Sequence, residues 1–376
     1  MKVRTEVRIM RNNEGFGSWE SICLLINMIF VQAILYFPKD AAGMGGSAGW
    51  IIPIAVTIIS YIYFAIATGF YRQHGSLGLL EICEKSAGKV FKIIIGLLAA
   101  LLLMILEVSL LGEYAHSLKI VSLDKSPLAY ILVLFLVGMI AAAYYGIEVV
   151  ARISAFIVPI CILGFILITI GVIPEYHIDN LFPILGKGVS SIISGSTVSL
   201  HIFSPLLLIF FLIPFFKRRN LKRVGYLSIT ISGLILFWST LSFLLTYPYE
   251  MAAGKKIPIF QMARLIEVGN YIQRVESVFV LVFSLASILY MGALFSFIIY
   301  IIAKTLDLDR HQPIILPTAV ILYTMTFYKR GLPFHIPGNQ MANILWILAL
   351  LLPIIVMIIG SIKKVTSENE GGQDYE

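Results

Sequence analysis

Charged side chains are scarce in this chain of 376 residues. Asp, Glu, Lys and Arg make up 13% of the sequence, whereas 59% of its residues are hydrophobic and the mean hydropathy is +0.92. Soluble domains carry about 25% charged residues. The composition therefore excludes an ordinary soluble globular class and indicates an integral membrane protein.

Cysteines and catalytic motifs are also scarce. Cys23, Cys83 and Cys161 are far apart and show no CxxC spacing, which argues against a disulfide framework or a metal site. The sequence contains no GxSxG, HExxH, P-loop or dinucleotide-binding fingerprint, and its six histidines are scattered. We therefore predict a protein that is not an enzyme and that uses no cofactor or metal.

The positive charge of the chain is not gathered into one patch. The formal net charge is +7, but the basic residues fall in short loops between apolar runs, where they act as topology signals. Residues 1–14 are polar and basic, and no short apolar region with a cleavage site follows them, so we expect no cleaved signal peptide. The expected surroundings are a lipid bilayer, with no nucleic-acid partner.

Apolar runs of about 20 residues recur along the chain, each long enough to cross a hydrocarbon core of about 30 Å. A backbone in lipid must satisfy its own hydrogen bonds, so each run is expected to be a helix. We predict ten transmembrane helices, at residues 17–43, 49–71, 90–116, 127–147, 153–173, 188–216, 224–247, 274–303, 312–328 and 339–361. The predicted domains are a cytoplasmic N-terminus at residues 1–16, a ten-helix permease-like domain at residues 17–364, and a disordered cytoplasmic tail at residues 365–376.

The distribution of lysine and arginine predicts the orientation. With the N-terminus in the cytoplasm, 18 of the 28 basic residues lie inside, and they are concentrated at residues 217–223. This bias predicts that both termini are cytoplasmic.

Two connecting segments have helical patterns of their own. Residues 75–88 predict a short interfacial helix on the cytoplasmic face. Residues 258–277 alternate apolar and polar side chains at helical spacing, which favours an amphipathic helix along the outer surface, with a plain helical connector as the alternative.

The first span of each half of the chain carries polar residues and then a proline. In span one, Asn27 and Gln32 precede Pro38, and in span six a run of serine and histidine precedes Pro205. Interrupted helices at corresponding positions indicate a transporter site built on inverted repeats. The predicted fold is therefore all-α, with a 5+5 inverted repeat and broken helices one and six.

Four passages carry a family resemblance. They are Ala-Ile-Leu-Tyr-Phe-Pro-Lys at 33–39 with Ala-Gly-Trp-Ile at 48–51, Tyr-Gly-Ile-Glu-Val-Val-Ala-Arg at 145–152, Leu-Ile-Pro-Phe-Phe at 212–216, and Phe-Gln-Met-Ala-Arg-Leu-Ile at 260–266 continuing through 272–279. The chain resembles the amino acid, polyamine and organocation transporter superfamily, and within it the GerAB-type endospore germination permeases. The resemblance implies a LeuT/APC-like fold, a place in the spore inner membrane, and partnership with a membrane A subunit and a lipoprotein C subunit of a germinant receptor.

The two breaks supply most of the candidate ligand-binding residues. Amide side chains at membrane depth need partners, which are either a ligand or a neighbouring helix. Open backbone and polar side chains at half-helix ends can hold a zwitterion. The candidates here are Asn27, Gln32 and Ala33 in span one, and Ser199, His201, Phe203 and Ser204 in span six.

Glu107 lies near the middle of predicted span three, where a carboxylate is least expected. At that depth it is a functional candidate, able to bind a ligand ammonium or to exchange a proton, and the alternative is a structural pair. In span eight, Ser284, Ser287 and Tyr290 recur along one helix face, and we include Ser287 and Tyr290 among the candidates, with helix packing as the alternative.

Two functions fit these residues. The first is a transporter-like subunit of a spore nutrient germinant receptor, which binds a small nutrient, expected to be an amino acid, at the membrane midplane and triggers germination. The second is a proton-coupled amino acid transporter. An ion or water conduit is a third possibility, because fold alone does not decide between these functions.

Overall fold

The computed structural model describes residues 17–74, 77–212, 221–266, 276–328 and 340–363. In these ranges every regular element is helical. The α-helices are α1 Ser18–Leu35, α2 Phe37–Gly45, α3 Ile51–Tyr71, α4 Leu79–Val121, α5 Leu128–Tyr145, α6 Ile147–Gly171, α7 Val189–Val198, α8 Pro205–Leu212, α9 Leu221–Thr246, α10 Tyr249–Ala252, α11 Pro258–Ala263, α12 Glu276–Thr305, α13 Gln312–Tyr328 and α14 Gln340–Ile362. The predicted N-terminal segment 1–16 and tail 365–376 lie outside the described residues.

Eight helical segments of the described chain are long and apolar enough to cross a membrane. They are Ser18–Leu35, Ile51–His74, Leu79–Val121, Leu128–Tyr145, Ile147–Gly171, Val189–Phe211, Leu221–Thr246 and Phe279–Thr305. Two shorter apolar helices, Gln312–Tyr328 and Leu350–Ile362, lie where spans nine and ten are predicted. The all-α multi-pass prediction is confirmed, whereas the count of ten spans stays a prediction.

Both predicted helix interruptions are present. Helix α1 ends at Leu35, Tyr36 leaves the helical region at φ −126° and ψ −37°, and α2 begins at Phe37 with Pro38 in its first turn. In span six, α7 passes into a 3₁₀ turn at Ser199–Phe203, and α8 starts afresh at Pro205. Each proline lacks a backbone N–H and so marks the start of a new helix rather than the continuation of the old one.

The predicted interfacial helix is part of α4. This helix contains one non-helical residue, Gly88, at φ +84° and ψ 179°. Residues 79–87 therefore form a short helix that is joined at Gly88 to the spanning part of α4. The helical prediction is confirmed for these residues, and their place at the cytoplasmic face stays a prediction.

The segment after α10 corrects the prediction of a surface helix over residues 258–277. Helix α11 ends at Ala263, Arg264 and Leu265 form a turn, and residues 267–275 lie outside the described part of the chain. Ile259 and Met262 are buried, and α11 packs against α6, α9 and α12. The apolar face of this segment is covered by neighbouring helices instead of by lipid headgroups.

Helix α1 lies in the centre of the bundle. Every residue from Ser21 to Leu35 is buried, and the helix packs against α6, α9 and α12. The outer helices instead expose large apolar side chains such as Ile62, Phe156 and Leu163, as expected of a lipid-facing surface. Because protein surrounds α1, its polar side chains must find partners on other helices.

Candidate functional site

Both amide side chains of α1 donate hydrogen bonds to α12. Asn27 Nδ2 donates to the carbonyl oxygen of Ala286 at 3.0 Å, and Gln32 Nε2 donates to the hydroxyl oxygen of Tyr290 at 3.2 Å. Gln32 also donates to the carbonyl oxygen of Met28, 3.4 Å away in its own helix. The amide oxygen Asn27 Oδ1 is buried and has no partner among the described residues. Hydrogen bonds to α12 therefore give each of the two amide nitrogens a partner, as the interhelical alternative predicts. The acceptor that lacks a partner within the described ranges is Asn27 Oδ1.

Glu107 is fully buried on α4. Within the described ranges, neither carboxylate oxygen has a hydrogen-bond partner. The carboxyl group lies close enough to Tyr114 and Tyr290 to interact with both electrostatically. A buried charge without a partner is strongly unfavourable, so this group is either protonated or neutralised by a cation that enters the site.

Tyr114 and Tyr290, which lie near this carboxyl group, belong to a larger group of packed aromatic side chains. Tyr114 stacks on Tyr36 at the α1 break with ring centroids 5.9 Å apart, and its ring centroid is 6.1 Å from those of Tyr290 and Phe283. The Tyr114 hydroxyl is buried and unpartnered in the described part of the protein. Sequence reasoning missed Tyr36 and Tyr114. The available signal was the seven-residue spacing from Glu107 to Tyr114, which places both on one face of α4.

The predicted polar face of α12 meets α1 and α4. Ser287 and Tyr290 are fully buried, and Ser287 Oγ has no hydrogen-bond partner among the described atoms. Helix α12 packs extensively against α4 and also contacts α1. We call Asn27, Gln32, Glu107, Tyr114, Ser287 and Tyr290 the polar cluster.

The span-six residues lie in the turn between α7 and α8. Ser199, Phe203 and Ser204 are buried, and His201 Nδ1 is 2.8 Å from the carbonyl oxygen of Val198, within the same turn. The turn packs against α3 and α14 and also touches α1, the helix that carries the buried Ala33. The turn in span six thus lies beside α1, while the polar cluster is formed by residues of α1, α4 and α12.

The polar cluster is rich in acceptors. The two oxygens of Glu107 and the amide oxygen of Asn27 lack donors in the described structure, and the hydroxyls of Tyr114 and Ser287 can donate or accept. A primary ammonium carries three donors and a positive charge, and it would supply donors that the Glu107 oxygens lack among the described residues. The unpartnered groups of the polar cluster therefore favour a donor-rich, positively charged partner over an anionic one.

The family model described as "Spore germination protein" matches residues 18–331. Among curated proteins of Bacillus subtilis (strain 168), the chain is 24% identical to Spore germination protein B2 over 275 residues, which cover 71% of this chain and 73% of that protein. It is 22% identical to Spore germination protein KB over 296 residues, which cover 76% and 77% of the two chains. The resemblance inferred from the four sequence passages is confirmed.

Two solved structures share the fold. One is a nucleobase-cation-symport-1 family transporter in a closed conformation with bromovinylhydantoin bound, with a TM-score of 0.64, 14% identity, and coverage of 89% of this chain and 77% of that one. The other is the Eremococcus coleocola manganese transporter, with a TM-score of 0.53, 12% identity, and coverage of 95% and 81%. At these identities the likeness establishes the LeuT-type transporter architecture alone.

These relatives are germination proteins and transporters rather than enzymes, in agreement with the expectation that this chain does not catalyse a reaction. The family match spans most of the chain and includes α1, α4 and α12, which carry the polar cluster. The chain belongs to the spore germination protein family and is a multi-pass membrane protein with a transporter fold.

Proposed function

We propose that this chain is the transporter-like subunit of a spore nutrient germinant receptor, and that it binds an amino acid at the polar cluster and thereby triggers germination. The observation that carries this proposal is the fully buried Glu107, whose two oxygens have no partner among the described residues. In its charged form this carboxylate needs a cationic partner, and a ligand ammonium would supply one.

The break in α1 supplies the other half of the site. Helix α2 begins directly after Tyr36, and the N-terminus of a helix carries a partial positive charge that favours a carboxylate. In the proposed pose the amino acid lies between α4 and the break, with its ammonium at Glu107 and its carboxylate toward the start of α2. Gln32 and Tyr290, which already share a hydrogen bond, would line this path.

The proposed receptor contains a membrane A subunit and a lipoprotein C subunit, and it lies in the spore inner membrane with both termini of this chain in the cytoplasm. Family membership supports the assembly, and the distribution of lysine and arginine supports the orientation. Ligand binding would be passed to these partner subunits as a shift in the population of two conformations.

A proton-coupled amino acid transporter is the second candidate. The observations that favour it are the transporter architecture and the same buried carboxyl group, which could carry the coupled proton. Uptake of a labelled amino acid into proteoliposomes, driven by a pH gradient and lost in Glu107→Gln, would support this function over a purely receptive one.

The test of the receptor function is Glu107→Gln, which keeps the shape of the side chain and removes its charge. A charge-assisted contact contributes roughly 1.5–3 kcal/mol, so the nutrient concentration for half-maximal germination should rise about tenfold or more. The control is Glu175→Gln, because Glu175 is exposed after α6 and outside the polar cluster, and this variant should leave the dose response unchanged. An unchanged dose response in Glu107→Gln, at normal abundance of the protein, would contradict the proposal.

A further inference from the structure

Helix α4 has a hinge at Gly88, between its first nine residues and the part that carries Glu107. Gly88 adopts φ +84°, a conformation that glycine reaches readily and that side chains of L residues disfavour. We call residues 79–87, on the far side of this hinge from Glu107, the latch helix. Its apolar side, including Leu79 and Ile82, is buried in the bundle. The latch helix is therefore packed against the bundle and is joined to the spanning part of α4 through the non-helical Gly88.

One buried lysine ties the latch helix to the segment after α12. Lys92 Nζ lies 2.8 Å from Glu84 Oε2 on the latch helix and 2.5 Å from Asp307 Oδ1, and the Lys92 side chain is only 3% exposed. Lys89 Nζ pairs with the other Asp307 oxygen at 3.0 Å. Two lysines thus face two carboxylates, so the group is balanced in charge.

A second ion pair joins the latch helix to α12 itself. Lys304 Nζ lies 3.0 Å from Glu81 Oε1, and Glu81 Oε2 accepts a hydrogen bond from the backbone N–H of Gly78 at 3.0 Å. A small cavity beside this pair is lined by the start of the latch helix, Phe211 of α8 and Tyr300 of α12.

The helices that carry the polar cluster also carry these ion pairs. Lys92 and Glu107 are both on α4, and at 1.5 Å per residue they are about 22 Å apart along its axis. Lys304 and Tyr290 are both on α12, at an axial separation of about 21 Å. Because the cluster is buried between these helices, a ligand can enter only if helices around it move. The ion pairs oppose separation of α4 from α12.

We propose that Glu81, Glu84, Lys89, Lys92, Lys304 and Asp307 form an ionic latch that holds α4 to α12 in the conformation of this structure and opens when a ligand occupies the polar cluster. The existence of the latch is independent of the proposed function, whereas its coupling to the ligand rests on that function. A ligand shifts such an equilibrium only if it favours one state, and weakening the latch shifts the equilibrium in the same direction without ligand.

Cys83 provides a native reporter because it lies on the latch helix and is fully buried. In a Cys23→Ala/Cys161→Ala background, its rate of labelling by a charged maleimide would be measured in permeabilised proteoliposomes. Lys92→Met removes the charge at similar length, and we expect labelling to accelerate at least about tenfold. The control is Lys222→Met, an exposed lysine on α9, which should leave the rate unchanged.

A second variant and a second reporter keep the test decisive. Glu84→Gln is milder, since its amide oxygen can still accept from Lys92, and it should give a smaller acceleration in the same direction. An unchanged rate in both Lys92→Met and Glu84→Gln would overturn the latch. In a background that retains only Cys161, which is buried on α6, Lys92→Met should not increase labelling. Equal acceleration at Cys161 would mean general loosening and would also overturn the latch.

Coupling to the ligand is tested in spores. Lys92→Met should lower the nutrient concentration for half-maximal germination and raise germination without nutrient, whereas Lys222→Met should do neither. If Lys92→Met accelerates labelling of Cys83 but leaves the germination dose response unchanged, the coupling between ligand binding and latch opening is overturned. The latch itself would stand. If Glu107→Gln has no effect on germination, the proposed receptor function fails, but the labelling of Cys83 still decides whether the latch exists. Failure of the function and failure of the latch are therefore distinguishable.

Discussion

Gln32 on α1 donates a hydrogen bond to the hydroxyl oxygen of Tyr290 on α12, and both side chains are buried inside the membrane domain. A second bond, from Asn27 to the carbonyl oxygen of Ala286, joins the same two helices more than one turn away. The broken helix is therefore tied to α12 at two levels, and a ligand that draws Gln32 or Tyr290 toward itself alters how α1 is held.

The bond between Gln32 and Tyr290 should be measurable as a coupling energy. Gln32→Met keeps the length of the side chain and removes the amide, and Tyr290→Phe removes the hydroxyl. Each single variant should reduce the free energy of unfolding by roughly 1–3 kcal/mol, and the double variant should lose less than the sum by about 1 kcal/mol. Thermal unfolding in detergent measures this cycle, with Gln73→Met at an exposed position as the control. Strictly additive losses would show that the bond does not stabilise the protein.

The size of the side chains near the breaks should determine which ligands act. Ala33 and Phe203 are buried beside mostly apolar neighbours, and hydroxyls of a sugar would each cost about 1–3 kcal/mol if left unsatisfied there. Enlarging Ala33 with Ala33→Leu, or shrinking Phe203 with Phe203→Ala, should change the ranking of apolar amino acids before it abolishes the response. Germination would be measured against a panel of amino acids, sugars and nucleosides. A response only to sugars or nucleosides, unaltered by both variants, would refute the amino acid pocket.

The orientation predicted from basic residues can be tested by single-cysteine labelling. Cysteines at Asn12 and Lys217, which lie outside the described residues, should react only from the cytoplasmic side. A cysteine at the exposed Lys256 should react only from the outside. Labelling of position 217 from the outer side would show that the predicted orientation is wrong, and it would leave the assigned fold unaffected.

The ion pair at Asp307 should make stability depend on pH in the acid range. The hydrogen bond from Lys92, aided by Lys89, holds the pKa of the Asp307 carboxyl below its usual value. A lowered pKa stabilises the folded state fully above the unfolded value of about 4, and this stabilisation is lost as the pH falls through the folded value. The difference in melting temperature between the parent and Asp307→Asn should therefore be present at neutral pH and shrink below pH about 4. A constant difference across that range would contradict this role of Asp307.

Hydropathy and proline positions were sufficient to predict the helical architecture. Pro38 and Pro205 marked both interruptions because each follows polar residues in an otherwise apolar span, whereas Pro159 lies inside the continuous helix α6. By contrast, the spacing of apolar residues in 258–266 could not show whether their apolar face meets lipid headgroups or other helices, and α11 is covered by helices. Local pattern determines that a face is apolar, and the tertiary arrangement determines what covers it.

The sequence predicted only part of the candidate site, because it does not show which residues meet in the fold. Glu107 stands out in an apolar span because a carboxyl group is anomalous there. Tyr36 and Tyr114 do not stand out, since a tyrosine is compatible with an apolar helix, and only the tertiary arrangement stacks Tyr36 on Tyr114 and brings Tyr114 next to Tyr290. The role of neutral residues in such a site depends on neighbours that are distant in sequence.

The two interruptions differ in their mechanics. The first is a single residue, Tyr36, whereas the second is five residues of 3₁₀ helix from Ser199 to Phe203. A 3₁₀ helix rises about 2.0 Å and turns about 120° per residue, against about 1.5 Å and 100° in an α-helix. Rewinding those five residues to α-helical form would draw α8 toward α7 by about 2.5 Å and rotate it by about 100°. In span six, a small displacement of α8 along its axis would therefore be coupled to a large rotation, which would present a different face of α8 to the helices around it.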